Sequence, residues 1–265
     1  MSKVTSKDGV EIAYETRGSG PALILVDGAM CYRAFGPMPH VADLLAPSFT
    51  VTIYDRRGRG ESGDKPNSAV QREIEDLDAL IGAAGGSAMV YGISSGGCLA
   101  LEAAIKLGGK IKKLAMYEPP YNAEPAARPQ WDEYRAGLAK ALAEGRRGDA
   151  AALFLTLVGT PADQVAGMRQ APVWPMFEAI APTLAYDAAA IGDDRVAPVK
   201  RAAGVKAPTL VMDGGANLTM MPFMHASAAA LTTAIPGAQH RTLDGQTHDV
   251  SAEVIVPELT NFFSQ

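Results

Sequence analysis

Short apolar runs alternate along this chain with longer segments of helical periodicity, and this alternation limits the folds open to it. Residues 69–84 carry apolar side chains at three- and four-residue steps, as an amphipathic helix does. Seven shorter segments have strand patterns: residues 10–16, 22–26, 50–54, 88–91, 111–117, 209–212 and 240–243. Strands that alternate with helices predict an α/β fold whose sheet is mostly parallel, with right-handed crossovers.

The alternation stops between residues 121 and 206. This stretch is rich in alanine and is interrupted by seven prolines, and no part of it has a strand pattern. It is too long for an ordinary crossover. We therefore expect a helical cap at 121–206 inserted into one α/β core formed by residues 1–120 and 207–265. A separate second domain is less favoured, because the strand pattern resumes near residue 208 and needs the N-terminal half of the sheet.

Composition and charge argue against several classes of function. The chain has 265 residues, is 48% hydrophobic and carries a net charge of −5, so it can bury a full core but lacks the concentrated positive charge of a nucleic-acid binder. We expect the arginines of the cluster Arg56, Arg57 and Arg59 to be solvated at the surface. No apolar run reaches the roughly 18 residues of a membrane span, and the first residues lack a signal-peptide pattern. These features predict a cytoplasmic protein that binds neither nucleic acid nor membrane.

The sequence gives no signal for a cofactor or a metal. Two cysteines and four scattered histidines form neither a disulfide framework nor a metal-ligand spacing. Residues 58–63 have the form G-x-G-x-x-G, but a dinucleotide site needs a helix directly afterwards, and residues 64–67 do not start one. We therefore expect no cofactor and no metal.

The most specific local feature is a serine in a glycine-rich turn. Gly92-Ile93-Ser94-Ser95-Gly96 follows an apolar strand and precedes an apolar helical segment, which is the context of a nucleophile on a strained turn. Small residues at Gly92 and Gly96 let the strand and helix backbones approach each other. Ser94 at the apex is the candidate nucleophile, and the alternative is that it only caps the helix.

A nucleophilic hydroxyl needs a base and an anion-binding site. His248 follows the last predicted strand, and parallel strands bring such loops to one edge of the sheet. We expect the other histidines, His40, His225 and His240, to have structural or surface roles. The backbone N–H groups of Ser95 and Ala29 are the candidate oxyanion donors, because Ala29 lies in the loop after the strand 22–26.

Together these motifs resemble the α/β-hydrolase superfamily, in its small soluble branch of esterases, lactonases and haloperoxidase-like enzymes. The resemblance rests on the Asp27-Gly28 loop, on the segment 54–62 with its D-x-R-G-x-G-x-S pattern, on the Ser94 turn and on His248. It implies an eight-stranded sheet, a cap after the sixth strand and a Ser–acid–His triad. Where the family usually has His-Gly, this chain has Asp27-Gly28. A carboxylate aimed at the oxyanion would oppose catalysis, so we expect Asp27 to point away, toward a nearby arginine.

The resemblance leaves the triad acid open. The family usually places an aspartate after the seventh strand, where this chain has Asn217, and an amide cannot stabilise imidazolium by charge. Some relatives carry the acid after the sixth strand, and there this chain has Glu118. Glu118 is our first choice, with Asp213 and Asn217 as the alternatives.

These features predict a serine hydrolase that acts on carboxylic esters or lactones of small, moderately hydrophobic molecules through an acyl-enzyme. Met30, Trp131 and Trp174 are expected to contact the substrate within a mostly apolar pocket. A C–C bond hydrolase or a perhydrolase would use the same residues, and a ligand-binding protein without turnover is a third alternative. The sequence leaves the oligomeric state open and is compatible with a homodimer.

Overall fold

A computed structural model describes residues 2–65 and 69–265 of the chain. Residues 66 and 67, which the sequence predicts not to start a helix, lie outside the described part. Within that part the strands are β1 (Ser2–Thr5), β2 (Glu11–Arg17), β3 (Ala22–Val26), β4 (Thr50–Tyr54), β5 (Ala88–Ile93), β6 (Ile111–Tyr117), β7 (Thr209–Gly214) and β8 (Gln239–Leu243). The helices are α1 (Met38–Leu45), α2 (Val70–Ala83), α3 (Ser95–Leu107), α4 (Ala127–Ala143), α5 (Arg147–Leu157), α6 (Ala162–Met168), α7 (Trp174–Ile180), α8 (Leu184–Ile191), α9 (Val199–Ala202), α10 (Asn217–Met220), α11 (Pro222–Ala234) and α12 (Ala252–Ser264), with 3-10 turns at Gly108–Lys110 and Ala181–Thr183. None of these helices combines the length and the apolarity needed to cross a membrane.

The described strands form one sheet in the order β1-β2-β4-β3-β5-β6-β7-β8. β2 runs antiparallel to both of its neighbours, β1 and β4, and every other neighbouring pair is parallel. This confirms the predicted α/β fold with a mostly parallel sheet. β1 was not evident as a strand from the residues, because its Ser-Lys-Val-Thr sequence contains one apolar residue and its side chains are largely exposed.

Helices cover both faces of the sheet, which explains the unbroken apolar runs of its central strands. Alternate residues of β3 point in opposite directions, so that Leu23 and Leu25 pack in a cluster with α1 and α12. Ile24 and Val26 pack in a second cluster with α2, α3 and α11. Because β3, β5, β6 and β7 run parallel to one another, their carboxyl ends lie along one edge of the sheet. The loops that carry the candidate site begin at this edge.

Helices α4 to α9 lie between β6 and β7, and the stretch 121–206 contains no strand. Their apolar side chains form a third cluster that includes Trp131, Trp174 and Leu184. Met30, from the loop after β3, belongs to the same cluster, so this helical segment packs against the loop that starts at the sheet edge. That the segment acts as a cap over a substrate stays a prediction.

The arginines that follow β4 are buried, so the expectation that they are solvated is wrong. Arg56, Arg57 and Arg59 are exposed by 1%, 0% and 1%. Arg56 Nε lies 2.7 Å from Glu73 Oε1, and Arg57 Nη2 lies 2.6 Å from Asp76 Oδ1. Both carboxylates come from α2, and they provide the charge partners without which burial of guanidinium groups would be costly.

Asp187 of α8, in the helical segment between β6 and β7, forms ion pairs with two of these arginines. Its carboxylate lies 2.6 Å from Arg56 Nη1 and 2.7 Å from Arg59 Nη2, and it accepts a 2.7 Å hydrogen bond from Ser95 Oγ. Burial acts to raise the pKa of Asp187, but the charges of Arg59 and Arg56 outweigh it and lower that pKa. This buried network connects the helical segment to the start of α3, next to Ser94.

Candidate active site

Ser94 occupies the tight turn between β5 and α3. Its backbone has φ 55° and ψ −130°, which is unusual for a residue with a side chain, and its N–H donates to the Tyr117 carbonyl at 2.9 Å. A Cβ at Gly92 would lie 2.4 Å from the Gly96 carbonyl oxygen, and a Cβ at Gly96 would lie 2.3 Å from that of Val26. Both glycines are therefore required by close backbone packing, as the sequence pattern indicates.

Glu118, directly after β6, is hydrogen bonded to His248. Glu118 Oε2 lies 2.7 Å from His248 Nδ1, and the carboxylate is fully buried. The Gly214 N–H donates to Oε1 at 2.8 Å, and the Asn217 amide donates to both oxygens at 2.8 and 2.9 Å. This contact fixes the orientation of the imidazole and directs its Nε2 edge away from the carboxylate, as a general base requires.

The two alternative acids make different contacts. Asp213 is hydrogen bonded to His225 and His240, and Asn217 donates to Glu118. Among the described residues, Glu118 is thus the one of the three candidates that contacts His248. The contact made by Asn217 could not be foreseen from the sequence, where the residue stands in the position of an acid.

Tyr117 holds two parts of the candidate site together, and sequence reasoning missed it. Its carbonyl accepts from the Ser94 N–H, and its phenol donates to the carbonyl of Thr247, next to His248. A buried tyrosine at the end of a strand has the same pattern as any core residue, so the one sequence signal was its position beside Glu118.

The loop after β3 runs past the candidate nucleophile. A Cβ at Gly28 would lie 3.2 Å from Ser94 Cβ and 3.8 Å from Ser94 Oγ, so this loop packs closely against the serine. Ala29 follows at once. Ser95 is the first residue of α3, and the N–H of a first helical residue has no partner inside its own helix. Both predicted oxyanion donors thus belong to segments that adjoin Ser94.

Asp27 is buried, and among the described residues no arginine forms an ion pair with its carboxylate; that the side chain points away from the oxyanion, toward a nearby arginine, stays a prediction. The two nearby arginines pair with Asp187 and also donate to backbone, Arg56 to the Asp27 carbonyl at 3.2 Å and Arg59 to that of Gly28 at 2.6 Å. Asp27 Oδ1 is buried and has no hydrogen-bond partner within the part of the chain that the structure describes. Burial raises the pKa of Asp27 to about 7, although the charges of Arg59 and Arg56 oppose the rise.

The predicted substrate contacts Met30, Trp131 and Trp174 share the third apolar cluster. Trp131 and Trp174 are buried, and their indole N–H groups donate at 3.0 Å to the Gly192 carbonyl and to Glu178 Oε1. Their packing among the helices is evident, and a role in substrate contact stays a prediction for all three residues.

Comparison with known protein families assigns most of the chain to one family. The model of a family described as "Alpha/beta hydrolase family" matches residues 20–254. The chain belongs to the alpha/beta hydrolase family. This assignment confirms the resemblance seen in the Ser94 turn and the 54–62 segment, and it supports hydrolase activity at the level of the family.

Individual proteins are similar to this chain to different extents. An alpha/beta hydrolase from Sphaerobacter thermophilus DSM 20745, known from its crystal structure, has a sequence 50% identical to this chain. The match covers 99% of this chain and 100% of that one, with a TM-score of 0.87. An uncharacterized hydrolase of Bacillus subtilis, YraK, is 32% identical over 115 residues, and the match spans 42% of each protein. The enol-lactonase from Burkholderia xenovorans LB400 covers both chains fully at 21% identity and a TM-score of 0.68, which shows a shared fold.

Proposed function

We propose that this chain is a serine hydrolase that cleaves carboxylic esters or lactones of small, moderately hydrophobic molecules through an acyl-enzyme. The observation that carries the proposal is the 2.7 Å contact between Glu118 and His248. It supplies an oriented imidazole at the edge of the sheet where Ser94 stands on its strained turn. Family membership supports a hydrolase, and the three side chains supply the groups that acyl transfer needs.

In the first half of the reaction, Ser94 Oγ attacks the carbonyl carbon and its proton passes to His248 Nε2. The negative charge of Glu118 stabilises the imidazolium that forms. The carbonyl oxygen becomes an oxyanion, which the N–H groups of Ala29 and Ser95 stabilise, aided by the N-terminus of α3. His248 then gives its proton to the leaving alkoxide, and the acyl group remains on Ser94.

In the second half, water takes the place of the alcohol. His248 removes a proton from the water, the resulting hydroxide attacks the acyl carbon, and the same oxyanion donors act again. Collapse of the tetrahedral intermediate returns the proton to Ser94 Oγ and releases a carboxylic acid. With a lactone, the alcohol and the acid are two ends of one product.

The helical segment 121–206 acts as the cap in this proposal. Its apolar cluster reaches the loop after β3 through Met30, which supports an apolar binding region beside the oxyanion donors. Asp187 fixes the segment to the core next to Ser94. A small substrate with an apolar acyl or alkyl group fits this environment better than a peptide.

The proposal is tested by hydrolysis of a short-chain p-nitrophenyl ester and of a small aliphatic lactone. We expect turnover of at least one of them, and Ser94→Ala should lower kcat by about a thousandfold or more. Ser95→Ala is the matched comparison, because it removes the adjacent hydroxyl but keeps the backbone N–H, and it should lose far less. No turnover above the Ser94→Ala background on either substrate would favour the ligand-binding alternative.

A further inference from the structure

A second cluster of polar side chains lies on the face of the sheet that α11 covers. It consists of Asp213 at the end of β7, His225 of α11 and His240 of β8. One ligand atom from each side chain lies within 4.8 Å of the other two. Contrary to the sequence-based expectation of no metal, we propose that these three residues form a binding site for a single divalent transition-metal ion of the zinc type, independent of the serine chemistry.

The fold explains why residues so far apart in sequence meet here. His240 pairs with Val211 in the parallel ladder of β7 and β8, and Asp213 lies two residues beyond Val211, so its side chain points to the same face. Val211 packs in the cluster that contains Ala228 of α11. The helix above the two strands thus brings His225 to the carboxylate.

The charge of Asp213 favours a cation. Its side chain is 1% exposed, with His225 Nδ1 2.6 Å from Oδ2 and His240 Nε2 3.3 Å from Oδ1. Within residues 2–65 and 69–265, no lysine or arginine forms an ion pair with it. A buried carboxylate is costly unless a positive charge neutralises it. A divalent ion would do so while binding all three groups.

The distances need little adjustment for a metal. Ligands at 2.0–2.2 Å in a tetrahedral zinc site lie about 3.3 Å apart. His240 Nε2 already lies 3.3 Å from Asp213 Oδ1, whereas His225 Nδ1 lies 2.6 Å from the other carboxylate oxygen, Oδ2, so His225 or the carboxylate must turn before one ion can bind all three side chains. The side chain of His225 is 44% exposed and that of His240 is 23% exposed, so His225 can rotate and water can fill the fourth coordination position.

The ligand types select the ion. Two imidazoles and one carboxylate suit Zn²⁺ and its spectroscopic substitute Co²⁺, whereas Mg²⁺ and Ca²⁺ prefer oxygen ligands throughout. The chain also contains a comparison pair, His40 and Glu253, whose side chains are 2.9 Å apart and exposed. Among the described residues this pair has no third ligand.

The test is titration of the EDTA-stripped full-length protein with Zn²⁺ by calorimetry, and with Co²⁺ by visible absorption. We expect one equivalent to bind, and Mg²⁺ or Ca²⁺ to bind at least about a hundredfold more weakly. His225→Gln and His240→Gln keep a group that can hydrogen bond to Asp213, and each should weaken Zn²⁺ binding at least about tenfold. His40→Gln is the matched control and should bind Zn²⁺ as the unsubstituted chain does.

A second measurement needs no substitution, in case a variant fails to fold. Zn²⁺ should protect His225 and His240, but not His40, from modification by diethyl pyrocarbonate. Absence of stoichiometric binding, binding that leaves both histidines reactive, or equal affinity in folded His225→Gln, His240→Gln and His40→Gln proteins would overturn the proposal.

Discussion

Glu118 Oε2 and His248 Nδ1 lie 2.7 Å apart, although 130 positions of sequence separate the two residues. The carboxylate is buried at the end of β6 and receives three further N–H contacts, from Gly214 and Asn217. These contacts hold the carboxylate in place. In the proposed reaction, this arrangement sets the tautomer of His248 and stabilises its protonated state.

Replacing the proposed triad acid should abolish most of the activity. Glu118→Gln removes the charge while keeping the shape, and we expect kcat for ester hydrolysis to fall by about 10³–10⁴-fold, as for other triads that lose their acid. Asp213→Asn, compared in metal-free protein, should cost less than about tenfold, because Asp213 contacts His225 and His240 instead. A larger loss in Asp213→Asn than in Glu118→Gln would show that the acid is assigned to the wrong strand.

Tyr117 should act as a positioning residue. Tyr117→Phe removes the hydrogen bond to the Thr247 carbonyl and thereby loosens the loop that carries His248. We expect kcat to fall by about tenfold with little change in KM, since the geometry of the base changes while the substrate contacts remain. Tyr186→Phe, in which a half-buried tyrosine loses its contact with Asp64, serves as the comparison. Equal kcat values for the two variants would show that Tyr117 does not position His248.

Asp187 should be more important for stability than an exposed aspartate of the same helical segment. Asp187→Asn leaves Arg56 and Arg59 buried with reduced compensation, so the free energy of unfolding should fall by about 3–5 kcal/mol. Asp193→Asn disrupts a pair with Arg135 in which the aspartate side chain is 85% exposed, and it should cost less than about 1 kcal/mol. Urea unfolding at pH 7 measures both, and similar losses for the two variants would contradict the role of the buried network.

Asp27 should make the protein less stable as the pH rises. Its pKa is raised from 3.8 to about 7 in the folded state, so the folded protein binds this proton more tightly than the unfolded chain does. The resulting stabilisation is complete below about pH 4 and is lost as the pH approaches 7. Asp27→Asn stays neutral, so it should remove this loss and be more stable than the unsubstituted protein at pH 8, by up to about 4 kcal/mol.

The measurement for Asp27 is urea unfolding at a series of pH values from about 4 to 8. Asp244→Asn, at an exposed position, is the control and should keep the pH dependence of the unsubstituted chain. If Asp27→Asn showed that same dependence, the carboxyl group would have an ordinary pKa.

Local sequence patterns were sufficient to predict most strands of the sheet. β3, β4 and β6 begin and end at the predicted residues, because most of their side chains are buried and their sequences are mostly apolar. β1 has no such pattern, since it is short and largely exposed at the edge. The eighth strand was implied only by the resemblance to a family.

The residues of the candidate site were harder to predict from the sequence, because the contacts between them join distant parts of the chain. Ser94 is marked by its two glycines, which the turn requires sterically. The choice among Glu118, Asp213 and Asn217 depends on which side chain reaches His248, and no local pattern contains that information. The arginines after β4 look like surface charge for the same reason, since Asp187, which pairs with Arg56 and Arg59, comes from a helix more than 120 residues later.

The most direct test of the central claim is covalent labelling of the intact protein with a fluorophosphonate. An activated serine attacks the phosphorus and displaces fluoride, which leaves a stable adduct that mass spectrometry can locate. We predict one adduct per chain, located on Ser94, lost in Ser94→Ala and formed far more slowly in His248→Gln. An unlabelled protein, or an adduct that persists in Ser94→Ala, would contradict the account.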